Sequence, residues 1–110
     1  MDNTDARAAR DAGIRQAAEH AEEVNPDWNE LADEALRVFA ASKRASGEAF
    51  TSEDVRKSIA AAFVPQPPHL RAWGSVFKRA AHAGLIVKAG VTNSAAAHCH
   101  LSYVAQWKAV

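Results

Sequence analysis

The 110-residue chain has one cysteine, one methionine, one tyrosine and five glycines, and no apolar run near the ~18 residues of a membrane span. A membrane role is therefore not expected. A lone cysteine cannot close an internal disulfide, so a reducing cytoplasm is the expected compartment. The opening Met1-Asp2-Asn3-Thr4-Asp5 lacks the basic-then-apolar pattern of a secretory signal. The scattered glycines build no phosphate-cradling loop. The most informative scarcity is of acid. Nothing from Val55 to Val110 is acidic. Residues 1–48 carry six basic and eleven acidic side chains, a net −5, whereas residues 49–110 carry seven basic and two acidic, a net +5. A zero total thus hides a chain with one half suited to an anion.

The hydrophobic spacing marks a series of helices. Residues 4–24 read as an alanine-rich helix whose apolar side is Ile14, Ala17, Ala18, Ala21 and Val24, with Arg10 interrupting the stripe. Such a face packs closely, and a homodimer through residues 13–28 is one expectation. Asn25-Pro26-Asp27 ends it, and Asp27 with Glu30 has capping-box spacing for the next helix. There Trp28, Leu31, Ala32, Ala35, Leu36, Phe39 and Ala40 follow the helical template, with an end expected near Arg44. Glu48-Ala49-Phe50 reads as a short strand or extended linker. Thr51 to Asp54 is a second N-cap signature, opening a helix with Val55, Ile59, Ala62 and Phe63 on its buried side. The prolines at 65, 67 and 68 stop it. A fourth helix, residues 70–83, ends at Gly84. Leu85 to Ala89, closed by Gly90, and His100 to Trp107 read as two strands of a hairpin with a long tip.

This order gives a mostly helical α+β class. It is the order of a winged helix–turn–helix domain over residues 27–110, with residues 1–26 as an N-terminal helical extension. At about 100° per residue, the fourth helix puts Trp73, Val76, Phe77 and Ala80 on one face. Arg71, Ser75, Lys78, Arg79 and His82 fall on the opposite side, with Gly74 beside them as an open approach for phosphate or base. Long cationic donors suit phosphate, and Arg, Ser and His suit base edges. These five are the expected DNA-reading residues. Arg56, Lys57 and Lys88 are expected as supporting phosphate contacts, and Thr92, Asn93 and Ser94 as the wing tip.

Other chemistry is not expected. His98 and His100 share a strand face while Cys99 points away, and no second cluster completes a zinc site, so no metal or other cofactor is assigned. Cys99 with either histidine has no orienting acid nearby in sequence, so no catalytic residue is assigned. Trp28 and Trp73 sit on core faces rather than on a base-stacking platform, with Trp107 less clearly placed.

The run Phe50-Thr51-Ser52-Glu53-Asp54-Val55-Arg56, the turn with Pro65, Pro67, Pro68 and His69, the block Ala72-Trp73-Gly74-Ser75-Val76-Phe77-Lys78-Arg79-Ala80-Ala81, the Ala83-Gly84-Leu85-Ile86 stop and the ending at Trp107 together resemble small bacteriophage and prophage proteins. The resemblance spans about residues 12–108. It implies a winged-helix or helix–turn–helix DNA-binding protein of the early or replication-region type, acting on double-stranded DNA in transcription regulation or replication inside a bacterial host. The stretch from Thr92 to His98 departs from the arginine-rich wing of that family. The competing expectation is a protein-interaction module that docks on a host or phage replication, transcription or defence protein through the acidic first half.

Overall fold

The computed structural model of the chain describes residues 3–93 and 103–110. Among these residues, four α-helices and one antiparallel sheet of two strands make a mostly helical α+β structure: α1 (Asn3–Val24), α2 (Trp28–Arg44), α3 (Ser52–Arg56), α4 (Ala72–His82), β1 (Ile86–Asn93) and β2 (Tyr103–Ala109). No described helix is long and apolar enough to cross a membrane.

The periodicity of α2 survives into the packing. Trp28, Ala32, Ala35, Leu36 and Ala40 are buried and Phe39 packs edge-on against Phe50, while Leu31 stays exposed. The entry to α2 is built differently from the expected capping box. Asp27 adopts a left-handed backbone (φ 71°) and makes no side-chain cap. Its role passes to Glu22 of α1, whose carboxylate accepts from the amides of Asp27 (2.8 Å) and Asn29 (2.9 Å). The free N–H groups of α2 thus find an acid from the preceding helix. These amide hydrogen bonds, first that of Asn29, hold the Glu22 carboxyl below the ordinary glutamate range.

The helix α1 contributes to the same core as the later helices. Ala21 is fully buried in that core and Ala18 nearly so, and Asn29 donates to the Ala18 carbonyl. The alanine face on which the homodimer expectation rested is packed within its own chain, and Val24, expected on it, is exposed.

The N-cap expected at Thr51 is present, and with Asp54 it forms a reciprocal capping box. The helix they open is short. It ends at Arg56, Ser58 is extended, and a 3-10 turn occupies Ile59–Ala61. This break changes the register, so Val55 and Ala61 point inward. Ile59 and Phe63, expected in the core, are 91% and 89% exposed, and Ala62 is exposed beside them.

The stop after α4 matches its glycine. Gly84 takes φ 81°, its amide donates to Ala81, and Leu85 donates to Ala80, a paired arrangement that a β-carbon would strain. The first strand does not end at Gly90 but runs through it, with a bulge between Lys88 and Gly90. Phe50 joins the sheet by one antiparallel bridge, exchanging two 2.8 Å hydrogen bonds with Trp107. The short-strand reading of residues 48–50 reduces to that bridge.

Candidate nucleic-acid interface

The N-terminal end of α4 is set by the proline turn before it. Pro67 is buried, and the Pro65 carbonyl accepts a 2.7 Å hydrogen bond from Trp28 Nε1. The Trp28 ring also meets Trp73 edge-on, with centroids 5.4 Å apart. The turn is thereby pinned to the core on both sides of residues 66–72. His69 Nδ1 accepts from the Arg71 amide, and the His69 carbonyl accepts from Ala72, which starts the helix.

The outward side of α4 is only partly free. α1 runs along it, the most extensive helix–helix contact of the fold. The open approach expected at Gly74 is filled: a β-carbon there would lie 3.1 Å from the Ile14 side chain. Glycine at this position lets α1 close on α4. Ser75 sits half-buried in the groove between them, beside Asp11, Ile14 and Arg15. Lys78 is ion-paired to Asp11 of α1 at 2.5 Å. Arg79 forks onto Asp33 of α2 at 2.7 and 3.1 Å and reaches Asn29 Oδ1. Both cations remain half-exposed, but each is already neutralised. The Asp11 carboxyl is held below the ordinary aspartate range, chiefly by its hydrogen bond from Lys78. Arg71 and His82 are exposed at the two ends of the stripe. The stripe is thus the seam where the acidic half of the chain meets the basic half.

Two clefts flank the start of α4 and share Leu70 and Trp73 as a ridge. One, about 330 Å³, lies between α1, α4 and the hairpin, with Phe77 and Trp107 on its floor and Arg10, Lys78 and Lys88 around it. No carboxylate is among its lining residues, although Asp11 stands behind, 3.9 Å from Arg10 Nε. The other, about 230 Å³, is bounded by Arg56, Lys57, Val64, Gln66 and Pro67. Lys57 is paired with Glu53 at 2.8 Å. Among the described residues no carboxylate lies within ion-pair distance of Arg56, Arg71 or Lys88. Arg56 and Lys88, from α3 and β1, each share a cleft with Leu70, whereas the Arg71 guanidinium lies against Gly13 of α1 in a third cleft lined also by Glu19, His20 and Glu23.

The hairpin carries less of the expected set. Lys88 is exposed opposite Trp107, and Thr92 is half-buried opposite Val104. Asn93 ends β1 opposite Tyr103, while Ser94, His98, Cys99 and His100 lie outside the described residues. No group of three or more metal-ligating side chains occurs among the described residues. Arg10 was absent from the sequence-based set, though its intrusion into an apolar stripe was the signal. Comparison with protein-family models, curated proteins and solved structures finds no match to this chain.

Proposed function

We propose that this protein binds double-stranded DNA without catalysing a reaction, as a winged helix–turn–helix of the phage and prophage kind acting in transcription regulation or replication. The element order from α2 through the Phe50 bridge, α3 and α4 to the hairpin supports that architecture. The observation that carries the reading is that Arg56 and Lys88 line the two clefts flanking the start of α4, with no carboxylate within ion-pair distance of either among the described residues. Lys78 and Arg79 contribute less than their position on the stripe suggests, because Asp11 and Asp33 already occupy them.

The test is fluorescence anisotropy on a mixed-sequence duplex at low salt, comparing the wild type with an Arg71→Glu, Lys88→Glu double variant. Both side chains are exposed, so the fold is retained while binding is lost. Reversing Lys78 and Arg79 is a poorer test, since it sets like charges against Asp11 and Asp33. A wild type that does not bind, or a double variant that binds equally well, overturns the assignment. A second reading, docking on a replication, transcription or defence protein, is favoured by the exposed Leu31 and Val38 on the side of α2 that carries Glu30 and Glu34. A Leu31→Lys, Val38→Lys variant that releases a co-purifying partner while leaving DNA binding intact supports it.

A further inference from the structure

We propose that the cleft between α1, α4 and the hairpin binds a small aromatic carboxylate; this goes beyond the DNA-binding reading and does not depend on it. The cleft holds about 330 Å³, within the range of small-molecule sites and far too small for a duplex. Its floor is made by the rings of Phe77 and Trp107, whose centroids lie 5.6 Å apart at 38°. The walls are held in place before any ligand arrives. Both backbone hydrogen bonds of the Phe50 bridge end on Trp107, at 2.8 Å. On the α1 wall, the Ile14 side chain closes to within 3.1 Å of where a β-carbon on Gly74 would stand. A flat apolar body therefore meets a fixed aromatic surface rather than one it must create.

Charge selects the head group. Arg10, Lys78 and Lys88 stand around the cleft, and no carboxylate is among its lining residues. Asp11 pairs with Lys78 at 2.5 Å and stands 3.9 Å from Arg10 Nε, so it offsets one of the three charges and leaves a net +2. The Lys78 hydrogen bond, with the charges of Lys78, Arg10 and Arg15, holds the Asp11 carboxyl below the ordinary aspartate range, so that offset is complete near neutral pH. An occupant must therefore be anionic at one end and apolar over the rest. A carboxylate met by Lys88 or Arg10 at the rim answers the first demand, and an aromatic ring on the floor answers the second. Ser52 supplies the only side-chain hydroxyl or amide among the lining residues, so the sugar of a nucleotide would find few partners there. That favours a bare aromatic acid over a nucleoside phosphate.

The experiment is isothermal titration of the full chain with 2-naphthoate, its neutral analogue 2-naphthamide and adenosine monophosphate. Wild-type protein takes one 2-naphthoate with a dissociation constant below about 1 mM, the scale expected for a ligand of this size. The amide and the nucleotide each bind at least about tenfold more weakly. In nitrogen–proton spectra the Trp107 indole resonance moves with 2-naphthoate, whereas that of Trp28, outside the cleft and held by Pro65, does not. Lys88→Gln weakens binding at least about fivefold at an unchanged melting temperature, since Lys88 is exposed. Asp11→Asn removes the competing anion and tightens binding at least about threefold. Undetectable 2-naphthoate binding, an amide that binds equally well, or a Lys88→Gln protein with wild-type affinity overturns the proposal. A nucleotide that binds more tightly than 2-naphthoate overturns the choice of an aromatic acid. None of these outcomes bears on duplex binding, which the anisotropy assay reads separately.

Discussion

Replacing Trp28 by phenylalanine tests how the core holds the proposed binding face. Trp28 has no exposed surface, and its indole N–H reaches the Pro65 carbonyl at 2.7 Å. Phenylalanine keeps most of the apolar bulk but removes that donor. A partly buried carbonyl left without its partner costs about 1–3 kcal/mol. The edge-on contact with Trp73, at 5.4 Å and 78°, is also disturbed, and such pairs contribute about 0.5–1.5 kcal/mol. The expected loss is therefore about 1.5–4.5 kcal/mol, a large share of the ~5–15 kcal/mol available to a small domain. Thermal melting followed by circular dichroism should fall by at least about 6 °C, taking about 4 °C per kcal/mol for a domain near this size. Hydrogen exchange should locate the loosening in residues 66–72. A variant that melts within about 2 °C of the wild type would mean that the hydrogen bond does not hold the turn.

Three further outcomes follow from individual contacts. Gly74→Val forces Ile14 away from α4 and should destabilise by about 1–3 kcal/mol in denaturant titration, with part of the loss recovered on adding Ile14→Ala. Because the native Glu22 carboxyl is lowered, its contribution to stability is present above the unfolded value and lost as pH falls below about 4.3. Glu22→Gln should therefore lower stability near neutral pH and flatten its decline in acid, as read from melts at several pH values. Asp11→Asn frees Lys78 from an exposed pair, so the melting temperature should barely change. The same variant should steepen the salt dependence of DNA binding by about 0.9 in log–log slope if Lys78 then meets a phosphate.

Local signals were legible where local physics decided the outcome. The buried side of α2 follows the spacing of Trp28, Ala32, Ala35, Leu36 and Ala40, and the Thr51 capping box and the Gly84 stop sit where their residue types demand. Ile59 and Phe63 were not legible, because no proline or glycine separates them from Val55. The helix stops where Ser58 turns extended and Ala61 takes the inward position instead. Gly90 read as a strand end because a bulge and a terminus draw on the same residue. The candidate site was legible as a basic half and a polar stripe on α4, but not as to what lies across that stripe. A helical wheel gives directions, whereas Asp11 and Asp33 reach Lys78 and Arg79 from 67 and 46 residues away in sequence.

The most direct measurement is the affinity of the unmodified chain for a mixed-sequence duplex across a series of salt concentrations. Phosphate contacts by Arg56, Arg71 and Lys88, each contributing roughly −0.9, give a log–log slope of about −2.7 or steeper. The Arg71→Glu, Lys88→Glu variant should not bind at any of those concentrations. Undetectable binding at the lowest salt, or an affinity that does not change with salt, would contradict the assignment of this face to DNA.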